Sequence, residues 1–272
     1  MEKKRVLAIS GSQRKPSFTE KMLDLCIEGM GDGVEVAKFH PHQMKIAPCN
    51  SCWTCWTKTP GVCARQDDFQ QILEACRKAD YFLWAFPLYI CSMPAPVKNV
   101  LDRFFILLEP GQAAGANGKT EHPKRFGRSP RTVLISSCGF PEIENFDLLR
   151  AYFRTVCHAF GWTHAGEILV SAAGAANVPK LFDRKYGQIR TAGAELLAGS
   201  IREETTRSIA EPVMSAEEYR KMTNAAFSGG LGFARAAAIG IRAAWKERRR
   251  DQRETSDEEK QEFTCSGRGS WL

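Results

Sequence analysis

RVLAISGSQRKPSFT, residues 5–19, opens the chain with a short strand, a hydroxyl-rich turn and the start of a helix. Val6 to Ile9 is an apolar run too short for a helix, and it ends at a Gly-Ser turn, so it reads as a buried strand. Gly11 to Thr19 then supplies small and hydroxyl-bearing residues with one arginine, Arg14, before the chain re-enters a helix. Ser17-Phe-Thr-Glu20 has the capping-box form, in which the Ser17 hydroxyl accepts from a first-turn amide and Glu20 reaches back. Strand, loop and helix N-terminus together make an anion cradle, because unpaired N–H groups and the helix dipole point at one spot. The plainer reading is an ordinary strand-to-helix connection, since such loops recur across many α/β folds.

The rest of the chain repeats this alternation. Met22, Leu25, Cys26 and Met30 step at helical spacing, and Val34 to Phe39 alternates as a second strand. A cysteine-rich loop, residues 46–66, precedes a helix with the apolar face Phe69, Ile72, Leu73 and Cys76, opened by Asp67 and Asp68. Tyr81 to Ala85 is a third strand ending at Phe86-Pro87, and Pro96 suits the first turn of the helix that follows. Residues 109–130, rich in Gly, Pro and basic side chains, read as a long flexible loop. A strand over 132–137, a helix over 146–160, a strand containing 168–170 and a helix over 183–199 complete the pattern.

Five strand-helix repeats call for a parallel sheet covered on both faces, and right-handed crossovers make it doubly wound. Ligands of such sheets sit at the carboxyl ends of the strands. Loops 11–19, 46–66, 86–95 and 137–145 all follow strands, so they are expected to share that edge.

The bulk numbers fit a soluble globular protein: 272 residues, 43% hydrophobic and 25% charged. No apolar run approaches the ~20 residues of a membrane span, and the first apolar stretch is too short for a secretory signal, so no membrane role and a cytoplasmic location are expected. The net charge of +7, concentrated in 119–131 and 246–253, favours anionic small molecules over nucleic acid. Residues 1–204 are assigned to one α/β domain, 205–254 to a helical extension and 255–272 to a polar, frayed tail. The extension is too small for its own core, so it is expected to pack on the domain or on a second subunit.

The segment from Ala85 to Pro94, AFPLYICSMP, leads into Ala95-Pro-Val-Lys-Asn-Val-Leu-Asp-Arg103. With the Gly-Ser-x-Arg loop at 11–14, these blocks resemble the flavodoxin-like NAD(P)H-dependent FMN reductase family. The exit loop Ser137-Cys-Gly-Phe-Pro-Glu142 resembles that of a subset of the family. The resemblance covers about residues 5–200. It implies a flavodoxin-like five-stranded parallel sheet binding FMN, with Ser12, Arg14, Ser17 and Thr19 on the phosphate. Phe18 stands in that loop where many relatives have Asn. Pro87, Leu88, Tyr89, Ser92 and Met93 would line the ring, and Cys138, Gly139 and Phe140 would close the other side. A flat amphipathic ring suits apolar faces with backbone donors at its polar edge. Cys91 and Cys138 read as small packed residues, and Lys98, Asp102 and Arg103 as a structural helix face. No protein acid or base is assigned, because hydride transfer at flavin needs none.

Ten cysteines is a high number for a reducing compartment, and four fall within fifteen residues: Cys49, Cys52, Cys55 and Cys63. Two-residue gaps repeated twice place three thiolates around one centre, as in ferredoxin-type clusters, whereas structural zinc pairs its cysteines more widely. The spacing resembles that of the iron–sulfur flavoproteins, a branch of the same family, which implies a [4Fe–4S] cluster; free or regulatory thiols and zinc are the alternatives. Trp53 and Trp56 would shield the cluster or anchor the loop. The expectation is an FMN-dependent oxidoreductase, a homodimer or homotetramer, taking hydride from NAD(P)H and passing electrons to an acceptor. The alternative is an electron carrier or redox sensor served by a ferredoxin-type partner.

Overall fold

The computed structural model describes residues 3–115 and 118–266, with the backbone alone over 250–266. It divides into two compact units, one of Met1–Ala173 with Lys185–Glu211, the other of Gly174–Arg184 with Pro212–Leu272.

The first unit is the expected α/β layer structure. Its strands are β1 (Lys4–Ser10), β2 (Val34–Phe39), β3 (Tyr81–Pro87), β6 (Arg131–Ser137) and β7 (Thr163–Val170). They form one parallel sheet in the order β2-β1-β3-β6-β7, the flavodoxin-like order, which reverses direction between β1 and β3. The three central strands are buried along nearly their whole length, so they read as unbroken apolar runs. Register matters for function here. Ser10 lies opposite Ala85, Pro87 opposite Ser137 and Ser137 opposite Val170, so four strands end together at one edge.

The intervening helices are α1 (Phe18–Met30), the single turn α2 (Thr54–Thr57), α3 (Phe69–Lys78), α4 (Ala95–Arg103) and α5 (Asp147–Phe160). Helix α6 (Asp183–Ala198) and the short α7 (Glu203–Ala210), which the sequence pattern did not reveal, follow. A core of Phe82, Trp84, Phe104 and Trp162 packs ring on ring, with Phe82 stacked on Trp84 at 4.4 Å and set edge-on to Trp162 at 5.1 Å. Two glycines let α1 and α6 touch backbone to backbone. A Cβ on Gly29 would stand 2.0 Å from the Arg190 carbonyl, and one on Gly193 2.0 Å from the Cys26 carbonyl.

The stretch 109–130 is not a structureless loop. It folds back as a minimal hairpin, β4 (Ala113–Ala114) against β5 (Thr120–Glu121), and its stem is closed by Glu109 N–H to Pro123 and Arg125 N–H to Leu107. Lys124, Arg125 and Arg128 donate to backbone carbonyls of Ala159, Ile106 and Lys78, so three of its cations pin the insertion to the helical segments that flank the sheet.

In the second unit α8 (Ala216–Phe227) packs on α9 (Gly232–Ser266), and Ser215 with Glu218 forms the reciprocal cap its sequence announces. Helix α9 runs past Arg250 as far as Ser266, where the sequence reading expects a frayed tail from Thr255. Residues 267–272 lie outside the described residues. No helix among the described residues is long and apolar enough to cross a membrane.

Candidate functional site at the carboxyl edge of the sheet

The loop after β1 turns at the point where strand order reverses. Gly11 N–H donates to Ala85 O (2.7 Å), and a Cβ there would sit 2.4 Å from Val97, so only glycine lets the turn lie this close to α4. Ser12 is buried, Arg14 is exposed, and Ser17 caps α1 by accepting from Glu20 N–H at 3.1 Å. Glu20 itself departs from the capping-box expectation: its carboxylate meets His40 Nε2 at 2.6 Å. Burial would raise the Glu20 pKa, but the His40 hydrogen bond and the charges of His40, Lys38 and Lys15 bring it below the ordinary carboxylate value. Phe18 turns its ring toward Tyr186, 6.4 Å between centroids, and Lys21 lies over the same Tyr186 ring.

Thr19 ties this loop to the next. Its hydroxyl lies 2.6 Å from that of Ser137 at the end of β6, both buried. Ser137 O in turn accepts from Leu88 N–H at 2.9 Å, joining the β3 exit to the same point. Beyond Leu88 the chain makes a tight hairpin in which Tyr89 and Ser92 exchange backbone hydrogen bonds. Its two central residues, Ile90 (φ +45°) and Cys91 (φ +62°), take the left-handed conformation that favours Asn-Gly. Ile90 is 96% exposed, and Cys91 is exposed too, which corrects the expectation of a packed thiol there. Met93 is buried under the hairpin. On the far side Cys138 is buried, Gly139 opens onto free space, and Phe140 is 67% exposed. Burial raises the Cys138 pKa against the lowering effect of the Phe140 N–H. The three flavin-side loops named from sequence therefore meet around Ser137.

The cysteine loop forms a second centre within the same unit. Cys49, Cys52, Cys55 and Cys63 line one cavity of about 30 Å³, together with Arg103, Phe105 and Ile106. Ser51 (φ +53°) and Trp53 (φ +58°) sit in left-handed conformation on either side of Cys52, the alternation that curls a chain around an anionic centre. Burial, then the neighbouring Cys63, Cys49 and Cys52, raise the Cys55 thiol, while Thr54 lowers the exposed Cys52. Trp53 and Phe105 line the cavity with their rings 5.4 Å apart, and Trp56, outside the lining, stacks on Phe105 at 4.2 Å. Among the described residues no three His, Cys, Asp or Glu side chains converge on a single-ion site.

Residues 4–121 match the model of a family described as NADPH-dependent FMN reductase. An iron-sulfur flavoprotein of Archaeoglobus fulgidus is 33% identical over 163 residues, 60% of this chain and 66% of its own. Over residues 4–121 the chain is similar to the FMN reductase family. A second similar protein, the iron-sulfur flavoprotein of Methanosarcina thermophila, is 32% identical over 104 residues, 38% of this chain and 53% of that one. The match thus spans between about half and two thirds of these curated relatives. Among solved structures, an FMN-dependent NADH-azoreductase from Bacillus anthracis in complex with FMN superposes with a TM-score of 0.53. It is 12% identical, and the superposition covers 71% of this chain and 99% of that one, which shows a shared fold.

Two residues of this chain carry more than their sequence context suggested. Ser137 emerges as the junction of loops 11–19, 87–93 and 137–140, a role no local pattern announces. Arg103, expected on a structural helix face, is buried against the cysteine loop: it donates to Ala47 O (2.9 Å), to both Asp67 oxygens (2.8 and 3.1 Å) and to Cys63 Sγ (3.3 Å). Lys98 and Asp102 do form an exposed helix-face pair at 2.5 Å. Asp67 also accepts from Ala47 N–H at 3.0 Å and Phe69 N–H at 3.2 Å, so it pins the loop as well as opening α3.

Proposed function

We propose that the chain is an FMN-dependent oxidoreductase that takes electrons from a reduced nicotinamide dinucleotide and passes them to an acceptor by way of a [4Fe–4S] centre on Cys49, Cys52, Cys55 and Cys63. The single observation that carries the flavin part is the meeting of loops 11–19, 87–93 and 137–140 around Ser137, at the reversal of strand order where such sheets bind their ligands.

The residues present suit the flavin. Ser10 Oγ is buried without a protein partner beside the turn that Gly11 keeps clear, and Ser12, Ser17 and Thr19 place hydroxyls around the α1 N-terminus. That donor set, with Arg14, is what a phosphate monoester requires. Tyr89 and Phe140 leave aromatic surface uncovered at the same edge, which a flat ring would bury. Bound FMN supplies hydride and single-electron chemistry; the chain's part is to orient the ring and exclude water.

The cysteine loop suits a polynuclear centre. A single tetrahedral zinc takes its sulfurs at ~2.3 Å, drawing them close together. Four cysteines line one cavity, with left-handed backbone at Ser51 and Trp53, and the two-residue gaps of the first three are those of cluster ligands. The names of the two curated relatives support the same reading. The second reading, an electron carrier or redox sensor served by a ferredoxin-type donor, rests on the sequence resemblance and uses the same two sets of residues.

Self-association as a homodimer or homotetramer belongs to this proposal. In the first unit Ile90 and Phe140, and in the second Phe227, Leu231, Phe233 and Trp245, are large apolar side chains left exposed. The deciding experiment is anaerobic isolation followed by flavin, iron and sulfide analysis and titration with NADPH and NADH. Rapid bleaching of flavin absorbance supports the reductase, and bleaching only by a ferredoxin-type donor supports the carrier. Colourless protein that takes up no added FMN overturns both.

A further inference from the structure

We propose that Arg103 is a positioning residue for the cysteine centre, presenting one N–H of its guanidinium to Cys63 and thereby setting the centre's reduction potential. The inference rests on the cluster reading of the cysteine loop and adds to it a residue outside the ligand set.

Arg103 closes α4, the helix that follows the flavin-side hairpin, and its side chain is 1% exposed. A buried cation at a helix end is costly unless every N–H finds an acceptor. Here one terminal nitrogen spans Ala47 O and Asp67 Oδ2, and the other spans Asp67 Oδ1 and Cys63 Sγ, while the buried Nε has no hydrogen-bond partner among the described residues. The guanidinium plane also lies over the Phe69 ring at 4.5 Å. This is the forked, stacked geometry in which lysine does not replace arginine.

The arrangement has a direction. Asp67 Oδ1 and Cys63 Sγ accept from the same guanidinium nitrogen, so an N–H of the cation points at the sulfur while the carboxylate beside it neutralises part of the charge. Hydrogen bonds to ligand sulfur and nearby positive charge both favour the more negative, reduced form of an iron–sulfur centre. Arg103 should therefore raise the potential, and Asp67 should temper that rise by neutralising part of the charge. A residue that served only to pin the loop would produce no opposed effects when these two partners are altered.

The test uses the full chain reconstituted anaerobically with iron and sulfide, titrated with redox mediators and followed by visible absorbance and electron paramagnetic resonance. Arg103→Gln should lower the reduced-to-oxidised ratio at fixed potential by about tenfold, equivalent to 59 mV for one electron. Asp67→Asn, which keeps the contact with Cys63, should shift the ratio in the opposite sense, and Arg103→Lys should fall between wild type and Arg103→Gln. Should Arg103→Gln fail to fold, the signs for Asp67→Asn and Arg103→Lys decide. Unchanged potentials, or shifts of the same sign in the Arg103 and Asp67 variants, with full iron uptake, overturn the role of Arg103 alone. Wild-type protein that takes up no iron overturns the cluster reading and this inference with it.

Discussion

Thr19 and Ser137, 118 residues apart in sequence, share a 2.6 Å hydrogen bond between buried hydroxyls at the mouth of the sheet. Each hydroxyl carries one proton. Whichever donates within the pair, the other keeps a donor to offer a ligand. The bond therefore does two things: it locks the first helix to the end of β6, and it aims one O–H toward the proposed phosphate cradle. Thr19→Val removes the hydroxyl with little change of shape and leaves Ser137 with one partner fewer. We expect stability to fall by about 1–3 kcal/mol and FMN to bind more weakly. Ser137→Ala should do the same. The double variant should cost clearly less than the two single variants summed, because they remove one shared bond. Chemical denaturation and flavin-fluorescence titration of all four proteins measure this; strict additivity would show that the two hydroxyls act independently.

Replacing one thiol of the cysteine loop separates the two centres. Cys55→Ser, at the most enclosed of the four positions with Cys63, should abolish iron and sulfide uptake while FMN binding stays within about twofold of wild type, since none of the flavin-side loops includes it. Cys138→Ser gives the contrast. It sits beside Ser137 in the proposed flavin site, so it should alter FMN binding and leave iron uptake intact. Iron and flavin contents measured on the same preparations check both, and joint loss of the two cofactors in either variant would mean the centres are not separable.

The sheet was readable because its strands are fully buried: Val6 to Ile9 and Tyr81 to Phe86 are unbroken apolar runs, which only a parallel layer covered on both faces requires. The gathering of strand ends followed from topology. What the chain concealed were contacts that depend on distant partners. Arg103 ends an amphipathic helix and looks like a solvated cation until Asp67 and Ala47, far earlier in the chain, enclose it. Ser137 looks like one more strand-end serine. The hairpin at 113–121 has strands of two residues each, too short for any alternation to register, in a segment whose Gly and Pro content resembles that of a loop. Glu20 had a capping-box position but found a stronger partner in His40.

Two glycines of α6 should respond in opposite directions to the same substitution. Gly193→Ala places a methyl group 2.0 Å from the Cys26 carbonyl, so α1 and α6 must separate, and a loss of about 1–3 kcal/mol is expected. At Gly187, one helix face away, a methyl group would meet nothing within 4 Å, and Gly187→Ala should stabilise by about 0.5–1 kcal/mol through helix propensity. Thermal unfolding distinguishes them, with Tm moving by about 2–4 °C per kcal/mol for a domain of this size. A neutral Gly193→Ala would mean that the close helix contact is absent in solution.

Glu167, buried on β7, lies within ion-pair distance of Arg150 (3.0 Å), Arg154 (3.2 Å) and His164 (3.4 Å). Burial alone would raise its pKa, but the neighbouring His164 and the charges of Arg150 and Arg154 hold it below the ordinary glutamate value. A carboxyl whose pKa is lower folded than unfolded stabilises the protein above the unfolded value, about 4.3, and that contribution disappears as pH falls through the folded value. Wild-type stability should therefore drop on acidification below about pH 4.3, with Glu20 and Glu195, also held low, adding to the loss. Glu167→Gln should be less stable than wild type at pH 7, by about 1–3 kcal/mol, because two arginines then face a neutral amide. Its deficit should shrink as pH falls from about 5 toward 3, since protonation brings the wild-type side chain to the same neutral state. Urea denaturation of both proteins across that range gives the difference directly. A deficit that stays constant with pH would place the contribution of Glu167 in packing, with no part in it for charge.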